Sequence, residues 1–397
     1  MIGTHYPAYM RSSIREYQDH DSWTPYRAAV SLHAHTHHSR EIMADFPRYI
    51  ARIPLVAGAF EREVGRYVER EGRPIDFSKG WWHPPVSPRA VFESEARQIE
   101  RRFDLPPLVS VTDHDDILAG LELQELYANR RAPVSFEWTV PYGEGFFHIG
   151  VHNLPADSAR DWYGRLNAFT TRVSREPLSG ILSDLHGLRA ALLVFCHPLW
   201  DLAGVGPNEH ARQLRRFMTA HRSHLHAIEL NGYRSRKENA GSQALALSAG
   251  LPLISGGDRH GCAPNAILNV TRARSFAEFA AEGRDGASEV VFKPEYRQNL
   301  TTRKLASASD VLRRYGSDRT GRIHWTDRIT CERDGSVRPL SFHWPRGGPF
   351  WVRSSVRAFR LLASPMVLPM IGAALDTVGS VRLPPPRNAP PNPVRYV

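Results

Sequence analysis

Residues 107–115, PLVSVTDHD, run from an apolar stretch into Asp113, His114 and Asp115. A short apolar run bounded by turn residues reads as a buried strand, and its polar end marks where the chain leaves the core. The same pattern recurs on both sides. AAVSLHAH (28–35) ends on His33 and His35, PVSFEWTV (133–140) holds Glu137, and FFHIGVHNL (146–154) holds His148. Further on, ALLVFCHP (191–198) carries His197, HAIELNG (226–232) leads to Asn231, and LPLISGGDRH (251–260) closes on Asp258, Arg259 and His260. These seven candidate strands alternate with helix-like segments, the βα alternation of a parallel sheet or barrel. In a barrel the C-terminal strand ends converge on one mouth, so side chains far apart in sequence form a single shell.

The residue types at those ends suit metal binding. His33 and His35 fall on one face of a strand because side chains repeat every two residues. With 19 histidines in 397 residues such a pair carries little alone, and His35/His37 and His224/His226 share the spacing. The weight comes from recurrence at the other strand ends. Imidazole combined with carboxylate suits Zn, Mn or Fe, and the lack of a thiolate-rich set argues against a purely structural zinc.

The motifs LHAHT (32–36), TDHD (112–115), FEWT (136–139), His148, CHP (196–198), IELNG (228–232) and GGDRH (256–260) together resemble the polymerase and histidinol phosphatase (PHP) metallohydrolases. They come in the family's order and cover roughly residues 28–295. The resemblance implies a distorted seven-stranded (β/α) TIM-like barrel, two or three divalent ions per chain and phosphoesterase activity. It further implies that His33, His35, Glu137 and Asp258 hold one ion and that Glu137, His148 and His197 hold a second, with Glu137 as the bridge. His114 and His260 would hold a third with a ligand from the loop after the first motif. The family often has Asp near position 40, where this chain has Arg40; Glu41 is the nearest carboxylate and the chosen ligand, with Asp45, His37 and His38 as alternatives.

Around that set, Asp113 reads as an acceptor that orients His114. Arg234, Arg236 and Lys237 follow the sixth strand on the mouth side, and Arg259 lies between two ligands; all four are candidate contacts to phosphate oxygens, in competition with ordinary surface or packing roles. Glu137, Asp258 and His260 are the catalytic candidates. The expected reaction is hydrolysis of a phosphomonoester or phosphodiester of a small molecule or nucleotide by a metal-bound hydroxide, with His260 as a candidate proton donor. A nuclease acting on nucleic-acid ends and a non-catalytic metal-binding scaffold are the alternatives. Cys196 reads as a small buried residue, and His152, His186, His210, His221, His224 and His226 as structural.

The remaining organisation follows from composition. A hydrophobic share of 42% and a charged share of 23% leave no disorder-like deficit of apolar residues. The net charge of +10 arises after residue 270: residues 271–397 hold 21 Lys+Arg against 11 Asp+Glu. Solvated surface charge accounts for such an excess, and an anionic phosphorylated substrate is the expected partner, with nucleic acid possible but not favoured. Cys196, Cys262 and Cys331 form no CxxC pair, which points to a reducing, cytoplasmic setting. The N-terminus has no apolar leader, and the apolar stretch 361–375 is interrupted by Pro365 and Pro369, so no membrane span is expected. The expected divisions are an extension (1–27), the barrel (28–299), an accessory region (300–381) and a Pro-rich tail (382–397). Within the barrel, 36–106 forms a cap-like insertion with helices at 48–71 and 88–103 flanking SKGWWHPPVSP. Within the accessory region, 300–315 reads as a basic helix and 320–352 as short strands. Oligomeric state is not legible.

Overall fold

A computed structural model describes residues 12–19, 21–44, 46–51, 54–127, 132–313, 324–364 and 366–379. The tail at 382–397 lies outside the described residues. The strands are β1 (Ser13–Glu16), β2 (Ala28–Ser31), β3 (Glu41–Ile42), β4 (Gly80–Trp82), β5 (Pro107–Val109), β6 (Val134–Tyr142) and β7 (Gly145–Leu154). They continue as β8 (Leu192–Cys196), β9 (Ala227–Asn231), β10 (Leu253–Gly256), β11 (Ile267–Thr271), β12 (Glu289–Phe292), β13 (Ile329–Arg333) and β14 (Ser336–Pro339). Each of the seven apolar runs contains one of these strands.

Their arrangement corrects the expected barrel. The described strands form two five-stranded sheets, ordered β1-β12-β11-β2-β5 and β10-β9-β8-β7-β6, and a four-stranded sheet β14-β13-β4-β3; no single seven-stranded barrel closes among them. Nor is the pairing all parallel: β6, β7 and β8 run antiparallel, as do β2, β11 and β12. Among the described residues the two larger sheets meet through the isolated bridges Ala34 with Arg259 and His114 with Glu137 and through a backbone hydrogen bond from Gly257 N to Leu32 O. The physical reason lies at the strand ends. His33 (φ 60°), Asp115 (φ 46°) and Asp258 (φ 52°) adopt left-handed backbone, which ends an extended ladder just where the side chains turn toward one another.

The two large sheets still share an apolar interior. Ala28, Val30, Leu32 and Leu108 pack with Leu192, Val194, Ala227 and Ile254, and a larger cluster around Phe136, Trp138, Phe147, Phe195 and Phe217 lies on the second sheet. Burying each of the larger of these side chains contributes about 1.5–3 kcal/mol, which holds the sheet ends in place. Helices are set by local signals. Ser87 caps the helix Pro88–Phe103, with Pro88 at its first position and Asp104 in left-handed backbone at its end. Ser235 and Glu238 form a capping box for the helix Arg236–Ala249.

The third sheet joins segments far apart in sequence. Strand β4, inside the 36–106 insertion, pairs on one side with β3 and on the other with β13. Residues 54–71 and 88–103 are helical, as is Leu300–Leu312, while 320–352 holds the β13–β14 hairpin rather than strands alone, with a short helix at Leu340–His343. Two helices absent from the sequence reading follow, Phe350–Leu362 and Leu368–Gly379; Pro369 is tolerated in the first turn of the latter, where its missing N–H has no helical partner to lose. Among the described residues no helix is long and apolar enough to cross a membrane.

Candidate metal centre

Glu137 lies on β6, fully buried, and five imidazoles approach its carboxylate. His33 Nε2 and His35 Nε2 come within 3.0 and 3.4 Å of Oε2, and His114 Nδ1 within 3.2 Å of the same atom. His148 Nδ1 and His197 Nε2 lie 3.0 and 2.9 Å from Oε1. Asp258 Oδ1 stands 3.8 Å from His33 Nε2 and 3.6 Å from His35 Nε2. Glu41 Oε2 lies 3.2 Å from His114 Nε2 and 3.1 Å from His260 Nε2.

Donor atoms gather into overlapping groups: His35, Glu41, His114 and His260; His33, His35 and Asp258; and His33, Glu137 and His197, each with its atoms within 4.8 Å of one another. These groups could hold metal. Three ring nitrogens, His35 Nε2, His114 Nδ1 and His148 Nδ1, are buried without a hydrogen bond although a Glu137 oxygen stands 3.0–3.4 Å away. Donors that converge without bonding one another, in a buried site rich in carboxylates, fit ligands of a shared cation.

The electrostatics agree. Burial opposes ionisation of Glu137, yet His33, His114 and His148 hold its pKa well below the usual range. Burial also disfavours charged imidazole, but Glu41 and Glu137 push His114 up to about 10, and Glu137 and Glu229 raise His33 well above its usual value. His35 and His148 are instead driven down, to about 3 and about 4, chiefly by burial. The buried carboxylates thus concentrate negative charge around these rings, and divalent ions bound there would offset it.

Supporting residues set the ring orientations, and several escaped the sequence reading. Glu229, on β9, takes His33 Nδ1–H at 2.5 Å and the His197 amide at 2.8 Å. Its signal was present: it lies two residues before Asn231, on the same strand face, inside IELNG. A Cβ at Gly256 opposite would overlap the Glu229 carboxylate and push it from this position. Ser39 Oγ accepts the His114 amide at 3.1 Å and donates to Glu41 Oε1 at 2.7 Å. Asn231 Nδ2 bridges Glu229 and Asp258 at 2.8 and 3.3 Å.

Other sequence candidates settle differently. Asp113 accepts the Thr36 amide at 2.5 Å and its hydroxyl at 2.6 Å, so it braces the loop after His35 rather than the ring of His114. Arg259 points away from the centre: its guanidinium is buried against Glu95, Ser94 and the carbonyls of Gly261 and Cys262. Arg236 pairs with Glu16, and Lys237 is exposed. Arg234 alone of the four reaches the centre, with Nη2 3.2 Å from Asp258 Oδ2, its guanidinium 3.3 Å over the Trp200 ring, and Nε buried without a partner. Lys304, from the helix Leu300–Leu312, has Nζ 6.0 Å from the centroid of the Tyr233 ring, and burial and Arg234 lower its pKa. Trp82 and Tyr233 flank His260 at ring distances of 5.7 and 5.9 Å, and Trp200 flanks His197 at 5.3 Å. None of Cys196, Cys262 and Cys331 is disulfide-bonded, and Cys196 is buried beside His33.

No known family's sequence profile and no curated protein matches the chain. Solved structures share distant likeness. PsfC from Pseudomonas syringae PB-5123 is 16% identical, with 52% of this chain and 83% of that one covered at a TM-score of 0.35. An amidohydrolase from Chromobacterium violaceum is 19% identical over 45% and 83%, TM-score 0.29. A protein from Bifidobacterium adolescentis assigned as a metal-dependent phosphoesterase is 14% identical over 46% and 85%, TM-score 0.30.

Proposed function

We propose that this protein hydrolyses phosphate esters at a centre of two or three divalent ions. The observation that carries the reading is Glu137, a buried carboxylate faced by His33, His35, His114, His148 and His197, three of whose nitrogens there make no hydrogen bond. His33, His35 and Asp258, with Glu137, would hold one ion; Glu137, His148 and His197 a second; Glu41, His114 and His260 a third. Bound divalent ions neutralise non-bridging phosphate oxygens and lower the pKa of water, the two requirements of phosphoester cleavage.

The chain's own groups do the rest. Arg234 keeps a guanidinium beside Asp258 with Nε unsatisfied, which suits a phosphate oxygen, and Lys304 adds a second cation nearby. Its stacking on Trp200 fixes the guanidinium plane before substrate arrives. His260 turns Nε2 to Glu41 and donates from Nδ1 to the Asp258 carbonyl, so as a ligand of the third ion it has no proton to give, and water at the mouth framed by Trp82 and Tyr233 would protonate the leaving oxygen.

The test is metal analysis of the purified chain followed by a panel of phosphomonoesters, phosphodiesters, oligonucleotides and amides with added manganese. Two or three ions per chain and turnover of a small phosphoester are expected. A folded, metal-loaded chain that cleaves only amides, only nucleic acid, or nothing would overturn the reading.

A further inference from the structure

His37 and His38 stand apart from the central centre and form a turn directly after His35 and Thr36. Facing them is Glu122 of the helix Leu118–Leu126, and one donor atom from each of the three lies within 4.8 Å of the other two. His38 Nε2 meets Glu122 Oε2 at 3.2 Å, and the His37 and His38 rings are 4.4 Å apart between centroids. The three share no residue with the central groups described above.

Neighbouring residues in a strand point to opposite faces, so adjacent histidines converge only where the backbone turns. Here the turn is fixed from several directions. Buried Asp113 holds Thr36, whose hydroxyl oxygen accepts the His38 amide at 3.2 Å. The His37 amide donates to Val86 O at 2.9 Å, and the Ser39 amide to Thr36 O at 3.0 Å. The rings are thus presented by a backbone already ordered, which lowers the entropic cost of gathering ligands. All three residues are partly exposed, which leaves an ion a path from solvent.

We propose that His37, His38 and Glu122 form a second, peripheral site for a divalent transition-metal ion of the zinc class. Two imidazoles and one carboxylate suit tetrahedral zinc with water in the fourth position. An ion there would tie the turn leading to Ser39 and Glu41 to the helix that follows His114, so that it braces one wall of the centre without belonging to it.

The test counts zinc ions per chain in the full-length protein after chelation and equilibrium dialysis against excess zinc. His38→Gln and Glu122→Gln should each hold one ion fewer than the wild type. Glu122→Gln alters a solvent-facing carboxylate and should leave the circular dichroism spectrum unchanged, so a folding defect in the histidine variant does not blunt the test. Adding Glu137→Gln to Glu122→Gln should lower the count further, since it acts on the central ions. Equal counts in the wild type and in a folded Glu122→Gln chain would overturn the proposal. Phosphoester turnover is not read, so that result would leave the proposed reaction standing.

Discussion

Glu229 and His33 form a buried pair, Oε1 to Nδ1 at 2.5 Å, while the other Glu229 oxygen accepts the amide of His197 at 2.8 Å. One carboxylate therefore positions two imidazoles assigned to neighbouring ions, and by holding the proton on Nδ1 it leaves His33 Nε2 free to ligate. Removing such a partner typically costs about 10- to 100-fold in metal affinity. Glu229→Gln should weaken binding on that scale, read by chelator competition, while the ion count at saturation stays at the wild-type value. Unchanged affinity would remove Glu229 from the machinery.

Glu137 and Glu41 should separate on substitution. Glu137→Gln keeps the shape but removes the charge expected to hold two cations close together, so ion content should fall by at least one per chain and turnover by about a hundredfold or more. Glu41 meets His114 and His260 instead, and Glu41→Gln should lose only the ion those residues share. Metal analysis beside kinetics checks both. Full metal content with near-normal turnover in Glu137→Gln would refute its bridging role.

The C-terminal region should matter to the same ion. Glu41 pairs with Trp82 across β3 and β4, Trp82 pairs with Ile329 of β13, and His83 Nδ1 donates to Ser39 O at 2.8 Å. A chain ending at residue 313 would leave β4 an edge strand and loosen Glu41, so it should lose one ion and activity with it. Ending the chain at residue 381 should change neither. Equal ion counts in folded chains of both lengths would show that β13 does not support Glu41.

Acid should destabilise the fold through His226, away from the metal centre. Burial lowers its pKa to about 3, and its Nδ1 accepts the Leu193 amide at 2.9 Å, so the folded chain keeps it neutral. In the unfolded chain it titrates near 6.5, so between about pH 6.5 and 3 the unfolded state binds the extra proton. The stability tied to its neutrality is fully present above the unfolded pKa and is lost progressively as pH falls through that window. His226→Asn retains an acceptor without the titration, and denaturant melts across that range should show a shallower decline than in the wild type. An identical slope would mean that other groups carry the acid response.

Much of the centre could be read from the chain because its ligands lie at the ends of short apolar runs, and burial of those runs is a local property of sequence. His33, His35, His114, His197, Asp258 and His260 lie just beyond strand ends, Glu137 and His148 lie within β6 and β7, and the structure gathers them. Glu41 was readable only as the nearest carboxylate in its loop. Arg259 shows where local reasoning stops: alternation predicts that its side chain leaves the face of Asp258 and His260, but only the fold supplies Glu95, 164 residues away, to hold it inside.

By itself, then, the sequence determined which segments are buried strands, which residue types stand at their ends, and that those residues suit divalent cations. Tertiary structure alone decided that the strands divide into separate sheets instead of closing as one barrel, that β13 completes the sheet beside Glu41, and that Glu229 supports His33. The reason is physical. Strand propensity and periodicity report how a residue sits in its own element, whereas a strand's partner is chosen by competing long-range contacts whose cost and reward depend on the whole chain.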